Sequence, residues 1–416
     1  MHPLYACHVM ASDARADLEN SVKVTDDARR WSMLSVVALA ELLGMSPWFA
    51  ANAVATQLTS QWHLSAQQTG WLSTAVQVGF VGGTAVAAIL KLPDIIESRW
   101  YFSVAALCAA AANAGLLLAD SFRGALVCRL LTGVFLAGVY PPAMKMAATW
   151  FHARRGLAIG VVVGALTIGK ALPYLVHALP DADIRRVILS ASIAALISTT
   201  LIALTYRDGP VPFPRRRFSL SLVHVVLRDS QYRQVLGGYA GHMLELYACW
   251  VWIPAFITAS LTAQGGGTVT STSLASALSF MVIAAGSIGC VLGGELADRV
   301  GYVRLVIVAM VVSASCALLT PLVFGQSTWI LTGLLLVWSI AVIADSAQFS
   351  TLVTRVTRPD AVGTALTLQT SIGFLLTTVT IQLVPVVAAA AGWRYAFPIL
   401  ALGPVLGITA IRKLRV

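Results

Sequence analysis

The sequence predicts an all-α integral membrane protein that crosses the bilayer with twelve transmembrane helices. Of its 416 residues, 58% are hydrophobic and only 11% are charged, whereas soluble domains carry about 25% charged residues. The mean hydropathy is +0.80. The apolar residues fall in runs of about twenty, the length that crosses about 30 Å of hydrocarbon. These observations exclude a soluble enzyme, a nucleic-acid-binding protein and a disordered chain.

Charged and turn-forming residues divide the apolar sequence into twelve predicted spans. In chain order they are 33–55, 70–90, 100–119, 124–148, 156–178, 185–205, 235–258, 273–295, 303–323, 329–351, 361–389 and 393–411. Residues 1–30 are polar and lack an apolar segment before a small-residue cleavage site, so we expect no removable signal peptide.

The basic residues predict the orientation of these spans. If the N-terminus is cytosolic, 21 of the 28 Lys and Arg residues lie in cytosolic segments, 4 lie on the opposite side and 3 lie within spans. This distribution follows the positive-inside rule and also accounts for the net charge of +10. We therefore expect both termini in the cytosol and the chain in the plasma membrane, which in a bacterium is the inner membrane.

The two halves of the chain resemble each other, which indicates an internal duplication. The aligned pairs are Glu41 and Glu245, Trp48 and Trp252, and Asp94 and Asp298 at a shift of 204, and Lys145 and Asp345 at a shift of 200. The predicted organisation is a cytosolic tail (1–32), a six-helix bundle (33–206), a basic cytosolic linker (207–233), a second six-helix bundle (234–411) and a short cytosolic tail (412–416).

One segment carries a specific family resemblance. The sequence GELADRVGYVR at 294–304 resembles the loop signature G-x-L-A-D-R-x-G-x-x-R of the major facilitator superfamily. The matching residues are Gly294, Asp298, Arg299, Gly301 and Arg304, and a degenerate first copy keeps Asp94 and Arg99. The resemblance implies two pseudo-symmetric six-helix bundles, alternating access, and a cytosolic gate formed by these residues. The alternative is a fixed interhelical contact without a gating role.

Two further segments bear on the subfamily. The glycines of predicted span 5, with Pro173, resemble the antiporter motif, but the Gly-Pro dipeptide of that motif is missing. Residues 150–156 are similar to the corresponding segment of organic-anion and nitrate-type members. Arg129 and Gly133 resemble the R-x-x-x-G signature on span 4.

Six ionisable residues lie within predicted spans, where a charge costs about 2.5–3.5 kcal/mol at the bilayer centre. They are Glu41, Arg129, Lys145, Lys170, Glu245 and Asp345. The resemblance places spans 1 and 7 around a central cavity, and burial makes a carboxyl group easier to protonate. We therefore predict Glu41 as the proton-coupling residue and Glu245 as the second candidate. The alternative for each is a static carboxylate that is paired to a base or hydrogen-bonded to Tyr247, His242 or a backbone amide.

The sequence leaves more than one role open for the other charges within spans. Lys145 and Asp345 occupy equivalent depths, which predicts either a pair that closes the cavity or an anion contact oriented by Asp345. Alternatively, Lys145 extends to the cytosolic headgroups. Arg129 is expected to organise span 4 or to take part in proton transfer. Lys170 is a candidate contact for the substrate.

Aromatic and amide side chains complete the predicted cavity, with ordinary helix packing as the alternative for each. They are Trp48, Asn52, Gln77, Tyr140, Trp252, Gln348 and Gln369. The six cysteines and seven histidines show no metal-ligand spacing, and no catalytic constellation or ATP-binding loop is present. We expect no metal and no cofactor besides the proton as coupling ion.

These features predict a proton-coupled secondary transporter for a small polar organic molecule. The three bases within spans favour an organic anion or carboxylate taken up by symport. The alternatives are a proton-coupled efflux antiporter for drugs or metabolites and a transporter-like nutrient sensor. The expected partners are the substrate and the lipid bilayer, without nucleic acid, and the resemblance implies a monomer.

Overall fold

A computed structural model describes residues 29–151, 154–210, 218–265 and 268–414. Within these ranges the regular structure is entirely helical, and twelve helices are long and apolar enough to cross a membrane. We number them as spans 1 to 12: Arg29–Ala53, Ala66–Ile89, Ser98–Leu118, Phe122–Trp150, Arg155–His177, Ile184–Thr205, Ser230–Ala263, Thr272–Val300, Tyr302–Val323, Thr328–Val356, Val362–Ala391 and Trp393–Ile411.

Each predicted span overlaps one of these helices, so the predicted fold class is confirmed. The main differences concern length. Span 7 begins at Ser230, inside the predicted linker, and that linker also contains a short helix, Leu220–Arg228. Span 8 continues to Val300, so most of the signature beginning at Gly294 is helical rather than a loop. Most of the predicted N-terminal tail and the run Arg215–Arg217 lie outside the described residues.

Spans 1, 4 and 10 are among those that are interrupted, which the hydropathy did not predict. Span 1 changes to a 3-10 helix at Ser46–Phe49, where Pro47 cannot donate an α-helical hydrogen bond. Span 4 consists of Phe122–Leu136 and Tyr140–Trp150, with two prolines in the first turn of the second segment. Span 10 breaks at Asp345.

The halves, spans 1–6 (the N half) and spans 7–12 (the C half), meet along two seams. Spans 5 and 8 pack through small residues: a Cβ on Gly160 would lie 3.1 Å from the Cys290 carbonyl oxygen. At one end of this seam, His177 Nδ1 lies 2.7 Å from Ser276 Oγ. Spans 2 and 11 form the other seam, where the Gln382 amide lies 3.2 Å from the Thr74 hydroxyl. Small residues allow the helices to approach closely.

Within the N half, glycines bring the backbones of spans 2 and 4 into contact. A Cβ built on Gly79 would lie 2.1 Å from the carbonyl oxygen of Leu130, and one on Gly133 would lie 2.1 Å from that of Val76. Neither oxygen belongs to a movable side chain, so a larger residue at either position forces the helices apart. Gly133 therefore has a packing role in addition to its place in the sequence signature.

We predict that Gly79→Ala lowers the stability of the folded protein by about 1–3 kcal/mol, the usual cost of overpacking. The measurement is thermal unfolding of the purified protein in detergent. Gly82→Ala is the matched control, because a Cβ at Gly82 meets nothing within 4 Å. Equal unfolding midpoints for the two variants would contradict the proposed close packing.

Candidate functional site

The centre of the molecule, where the two halves meet, holds a buried ammonium group. Lys170, on span 5, has 2% of its surface exposed. Its Nζ donates a hydrogen bond to the Tyr247 hydroxyl at 2.6 Å. It also lies 4.0 Å from the ring centre of Trp48 and 5.8 Å from that of Trp250. Because Tyr247 and Trp250 belong to span 7, this cation is shared between the two halves.

Aromatic rings from four spans fill the space beside Lys170. The Trp48 ring centre is 5.2 Å from that of Phe80 and 5.8 Å from that of Tyr247. Phe374 on span 11 is 4.7 Å from Phe80 and 5.2 Å from Tyr247. Ring faces carry negative partial charge and stabilise a desolvated cation. The rings of Trp48, Tyr247 and Trp250, which lie near Nζ, therefore compensate part of the cost of burying the Lys170 charge.

Glu41 lies on span 1 close to Lys170. It is fully buried, and neither carboxyl oxygen has a hydrogen-bond partner among the described residues. Spans 1 and 5 are in backbone contact here, since a Cβ on Gly169 would lie 2.1 Å from the Leu42 carbonyl oxygen. The charges of Glu41 and Lys170 are within electrostatic range of each other. Tyr140 is also within electrostatic range of Glu41.

Glu245, the repeat partner of Glu41, has different surroundings. Its carboxylate accepts hydrogen bonds from the Ser313 hydroxyl and, at 2.7 Å, from the Trp338 Nε1 group. Ser313 lies on span 9 and Trp338 on span 10, so the side chain is directed into the C half. Both oxygens of Glu245 therefore have donors, whereas those of Glu41 have none among the residues that the structure describes.

Arg129 is fully buried and organises the interrupted part of span 1. Its guanidinium donates to the Pro47 carbonyl at 2.9 Å and to the Trp48 carbonyl. Weaker bonds reach the Leu72 carbonyl at 3.4 Å and Asn113 Oδ1 at 3.3 Å. Arginine has five donors in a fixed plane and can serve several acceptors at once. These contacts hold the Trp48 backbone where its ring can face Lys170.

Lys145 and Asp345 do not contact each other in this conformation. Lys145 Nζ donates to the Pro93 carbonyl at 2.7 Å, beside Asp94. Asp345 Oδ1 lies 2.8 Å from Nδ1 of His242. The predicted pair is therefore replaced by two separate contacts. The long Lys145 side chain extends along its helix to the loop that joins spans 2 and 3.

The predicted gate residues of the second copy have partners within the C half. The Tyr302 hydroxyl donates to Asp298 at 2.6 Å, and Arg299 pairs with Glu295 at 2.8 Å. Gly301 has φ +90°, a conformation that favours glycine and separates spans 8 and 9. In the first copy, Arg99 lies 3.5 Å from Glu97. Gly294 faces Gly156 of span 5, so the signature borders the seam between the halves.

Some of the remaining predicted cavity residues make packing contacts, and others have buried polar atoms without a partner among the described residues. Trp252 donates to the Ile381 carbonyl at 2.8 Å and ties span 7 to span 11. Asn52 donates to Ser73 and keeps its oxygen without a partner. Among the described residues, buried amide atoms of Gln77, Gln348 and Gln369 also have no partner.

A cavity of about 920 Å³ opens elsewhere, between the short helix Ala55–Trp62, which follows span 1, and the ends of spans 3 and 6. Its lining includes Gln57, Trp62 and Arg185 and none of the predicted cavity residues. The space around Lys170 is filled by the aromatic rings described above. The structure therefore shows the two halves packed together at the candidate site.

Three residues, Tyr247, Trp250 and His242, contribute to this site in ways that the sequence did not predict. Tyr247 and Trp250 lie three residues apart on span 7 and therefore share one face; that spacing, beside the candidate Lys170, was an available signal. His242 was considered only as a possible partner for a carboxylate. Nothing in the sequence indicated that it faces Asp345.

Comparison with known proteins agrees with this architecture. The sequence model of the Major Facilitator Superfamily matches residues 37–379. The xylose transporter XylE from Escherichia coli, in a partially occluded inward-open conformation, has a similar structure, with a TM-score of 0.72 at 14% identity over 93% of this chain and 98% of that one. A bacterial homolog of the human lysosomal transporter Spinster gives a TM-score of 0.66 at 16% identity over 94% and 96%. These likenesses concern the fold.

Two curated relatives are similar over part of the sequence. The galacturonate transporter of Dickeya chrysanthemi is 30% identical over 149 residues, 35% of this chain and 43% of that protein. The hexuronate transporter of Escherichia coli is 26% identical over 153 residues, 36% of this chain and 35% of that protein. The matched segments thus span less than half the length of either relative.

We predict that Arg129→Lys destabilises the protein by about 3 kcal/mol or more. A lysine cannot reach all four acceptors, and each hydrogen bond to a charged group contributes about 1.5–3 kcal/mol. The measurement is the unfolding free energy in mixed micelles, with Arg123→Lys on the exposed start of the same span as the control. Unchanged stability combined with loss of proton coupling would instead assign Arg129 to proton transfer.

Proposed function

The chain belongs to the Major Facilitator Superfamily and is a transporter, and we propose that it carries a sugar acid of the hexuronate class together with a proton. The observation that carries this proposal is the buried Lys170 side chain, whose amine has no carboxylate partner within 4 Å in the described part of the chain. The galacturonate and hexuronate transporters among its relatives support the same cargo class. The charge distribution supports cytosolic termini in a bacterial inner membrane, and the family supports a monomer.

Lys170 is proposed to bind the carboxylate of the cargo. An ammonium group has three donors, and the described residues provide one hydrogen bond, to the neutral Tyr247 hydroxyl. No carboxylate of the described residues lies within 4 Å of Nζ. A cargo carboxylate would supply both the missing acceptors and the missing negative charge.

The remainder of a sugar acid would meet aromatic faces and amides. The Trp48 and Phe374 rings offer flat apolar surfaces to the C–H face of a pyranose. Gln77, Gln348 and Gln369 retain buried amide atoms without partners, as a ligand rich in hydroxyl groups requires. Binding needs the two halves to separate from the packed arrangement, because the rings now fill this space.

Glu41 is proposed to carry the coupling proton. An ionised Glu41 partly neutralises Lys170 and repels an anionic cargo. A protonated Glu41 leaves the Lys170 charge available to that cargo. Anion binding and Glu41 protonation therefore favour each other, and linkage requires the effect to be reciprocal. Glu245 is a weaker candidate, because Ser313 and Trp338 already satisfy its carboxylate.

Alternating access would then depend on the contacts between the halves. The Lys170 to Tyr247 hydrogen bond connects span 5 to span 7, so cargo that replaces Tyr247 at Lys170 alters this connection directly. The signature residues Asp298 and Arg299, at the end of span 8 beside the seam, are proposed to control opening on the cytosolic side, together with Asp94 and Arg99 of the first copy.

We predict that Glu41→Gln abolishes accumulation of galacturonate driven by an imposed pH gradient, while exchange of external for internal galacturonate continues. The neutral amide imitates the protonated acid, which binds cargo but cannot release a proton. Both activities are measured in proteoliposomes containing the purified protein. The control is Asp120→Asn, an exposed acid outside the candidate site and the gate residues. Gradient-driven accumulation at the normal level in Glu41→Gln would rule out this role.

We predict that Lys170→Met raises the Kd for galacturonate by about thirtyfold or more, because removing one partner of a buried charge pair costs about 2–5 kcal/mol. Galactose, which lacks the carboxylate, should bind poorly to both proteins. Calorimetry provides the affinities, and Lys413→Met, at the exposed end of the chain, is the control. Equal affinities in wild type and Lys170→Met would exclude Lys170 as the carboxylate site.

The same binding experiment distinguishes symport from efflux by antiport. In weakly buffered solution, binding of cargo takes up a proton under the symport proposal. An antiporter, in which proton and cargo compete, releases a proton when cargo binds. Proton release would replace the symport proposal with the antiport alternative.

A further inference from the structure

Span 10 is interrupted at a buried aspartate rather than at a proline or glycine. Asp345 connects Thr328–Ala344 to Ser346–Val356 and occupies the N-cap position of the second segment. An N-cap aspartate normally accepts a hydrogen bond from the first turn of its own helix. The Asp345 side chain makes no such bond.

The Asp345 carboxylate instead faces His242 on span 7. The Oδ1 to Nδ1 distance is 2.8 Å, and both side chains are almost completely buried. The two atoms approach closely without an aligned hydrogen bond. The imidazole packs between Tyr239, with ring centres 6.0 Å apart, and Phe349, at 5.6 Å.

We propose that His242 and Asp345 form a second proton-binding site, separate from Glu41, in which Asp345 switches between two partners. With a proton on the pair, the imidazolium attracts the carboxylate as observed. After the proton leaves, the neutral imidazole loses that attraction. The carboxylate then turns to the first-turn N–H groups and the positive end of Ser346–Val356, which favour an anion.

Few other titratable groups of the described residues face this pair. Glu245 on span 7 is within electrostatic range of Asp345, but its carboxylate is held by Ser313 and Trp338. Cys290 on span 8 is within the same range.

The switch acts on a segment that contributes to the centre of the molecule. Ser346–Val356 packs against spans 5, 7, 8 and 11. It carries Gln348 and Phe349, and the Phe349 ring lies 5.6 Å from that of Tyr239. A change of partner at Asp345 therefore shifts side chains beside the candidate site. It also changes the half of span 10 that is predicted to face the cytosol.

The test is hydrogen exchange of the full-length protein in lipid nanodiscs across a pH series. Peptides covering 345–356 are followed by mass spectrometry and corrected for the intrinsic pH dependence of exchange. In wild type, protection of the first turn should rise about fivefold as pH increases through the midpoint of the pair, the effect of one N-cap hydrogen bond. A flat profile in wild type would overturn the proposal.

Substitutions at Asp345 and His242 distinguish the effect of the Asp345 charge from the effect of its N-cap hydrogen bond. Asp345→Asn can cap but cannot titrate, so it should be protected at every pH. Asp345→Ala should be unprotected at every pH. His242→Gln should remove the rise in protection with increasing pH (the pH step). It provides the test if the Asp345 variants do not fold. A normal step in both Asp345→Asn and His242→Gln would disprove a proton site here.

Two controls distinguish this site from others. Glu41→Gln should keep the step, so failure of the proposed coupling by Glu41 does not affect this result. His177→Gln, a buried histidine bonded to Ser276 at the seam of spans 5 and 8, should also keep the step. Loss of the step in Glu41→Gln with its retention in Asp345→Asn would assign the titration to Glu41 and overturn the proposal.

Discussion

The buried ammonium of Lys170 is the constraint on which the central architecture depends. A charge in the middle of a membrane protein is costly unless the surrounding groups compensate for it. Here the compensation comes from rings and a phenol on both halves. Span 5 reaches span 1 through Gly169, and Arg129 fixes the Trp48 backbone. Span 7 brings Tyr247 to the amine. All of these contacts surround Lys170 or position the groups that surround it.

The sequence predicted the twelve spans because lipid imposes a nearly uniform apolar length on every crossing helix. It also identified the charges inside the spans, since burial in lipid makes each one exceptional. Their partners were harder to predict. The position of a residue along a helix fixes its depth in the membrane but not the direction of its side chain. A lysine side chain can also extend along the helix axis, away from the depth of its own Cα atom. Lys145 therefore extends to Pro93 rather than to Asp345. The break in span 10 had no proline or glycine to indicate it.

The duplication predicted equivalent acids, but the two repeats have diverged around them. A shift of 204 places Ala109 opposite Ser313, and a shift of 200 places Gly138 opposite Trp338. The N half thus lacks both of the side chains that donate to Glu245. A comparison of donors near each acid, rather than of the acids alone, would have predicted this asymmetry. Glu245 is therefore held in place by hydrogen bonds. Glu41 interacts with its surroundings through its charge, without such bonds among the described residues.

That asymmetry gives the proposed coupling a physical basis. Without cargo, an ionised Glu41 and Lys170 together carry no net charge. With cargo, a protonated Glu41, Lys170 and the cargo carboxylate are again neutral as a group. Binding of a proton alone or of an anion alone leaves one uncompensated charge between apolar seams, which raises the energy of the packed state. The closed interface is therefore favourable only for the empty and the fully loaded carrier, and this selectivity is what obligatory symport requires.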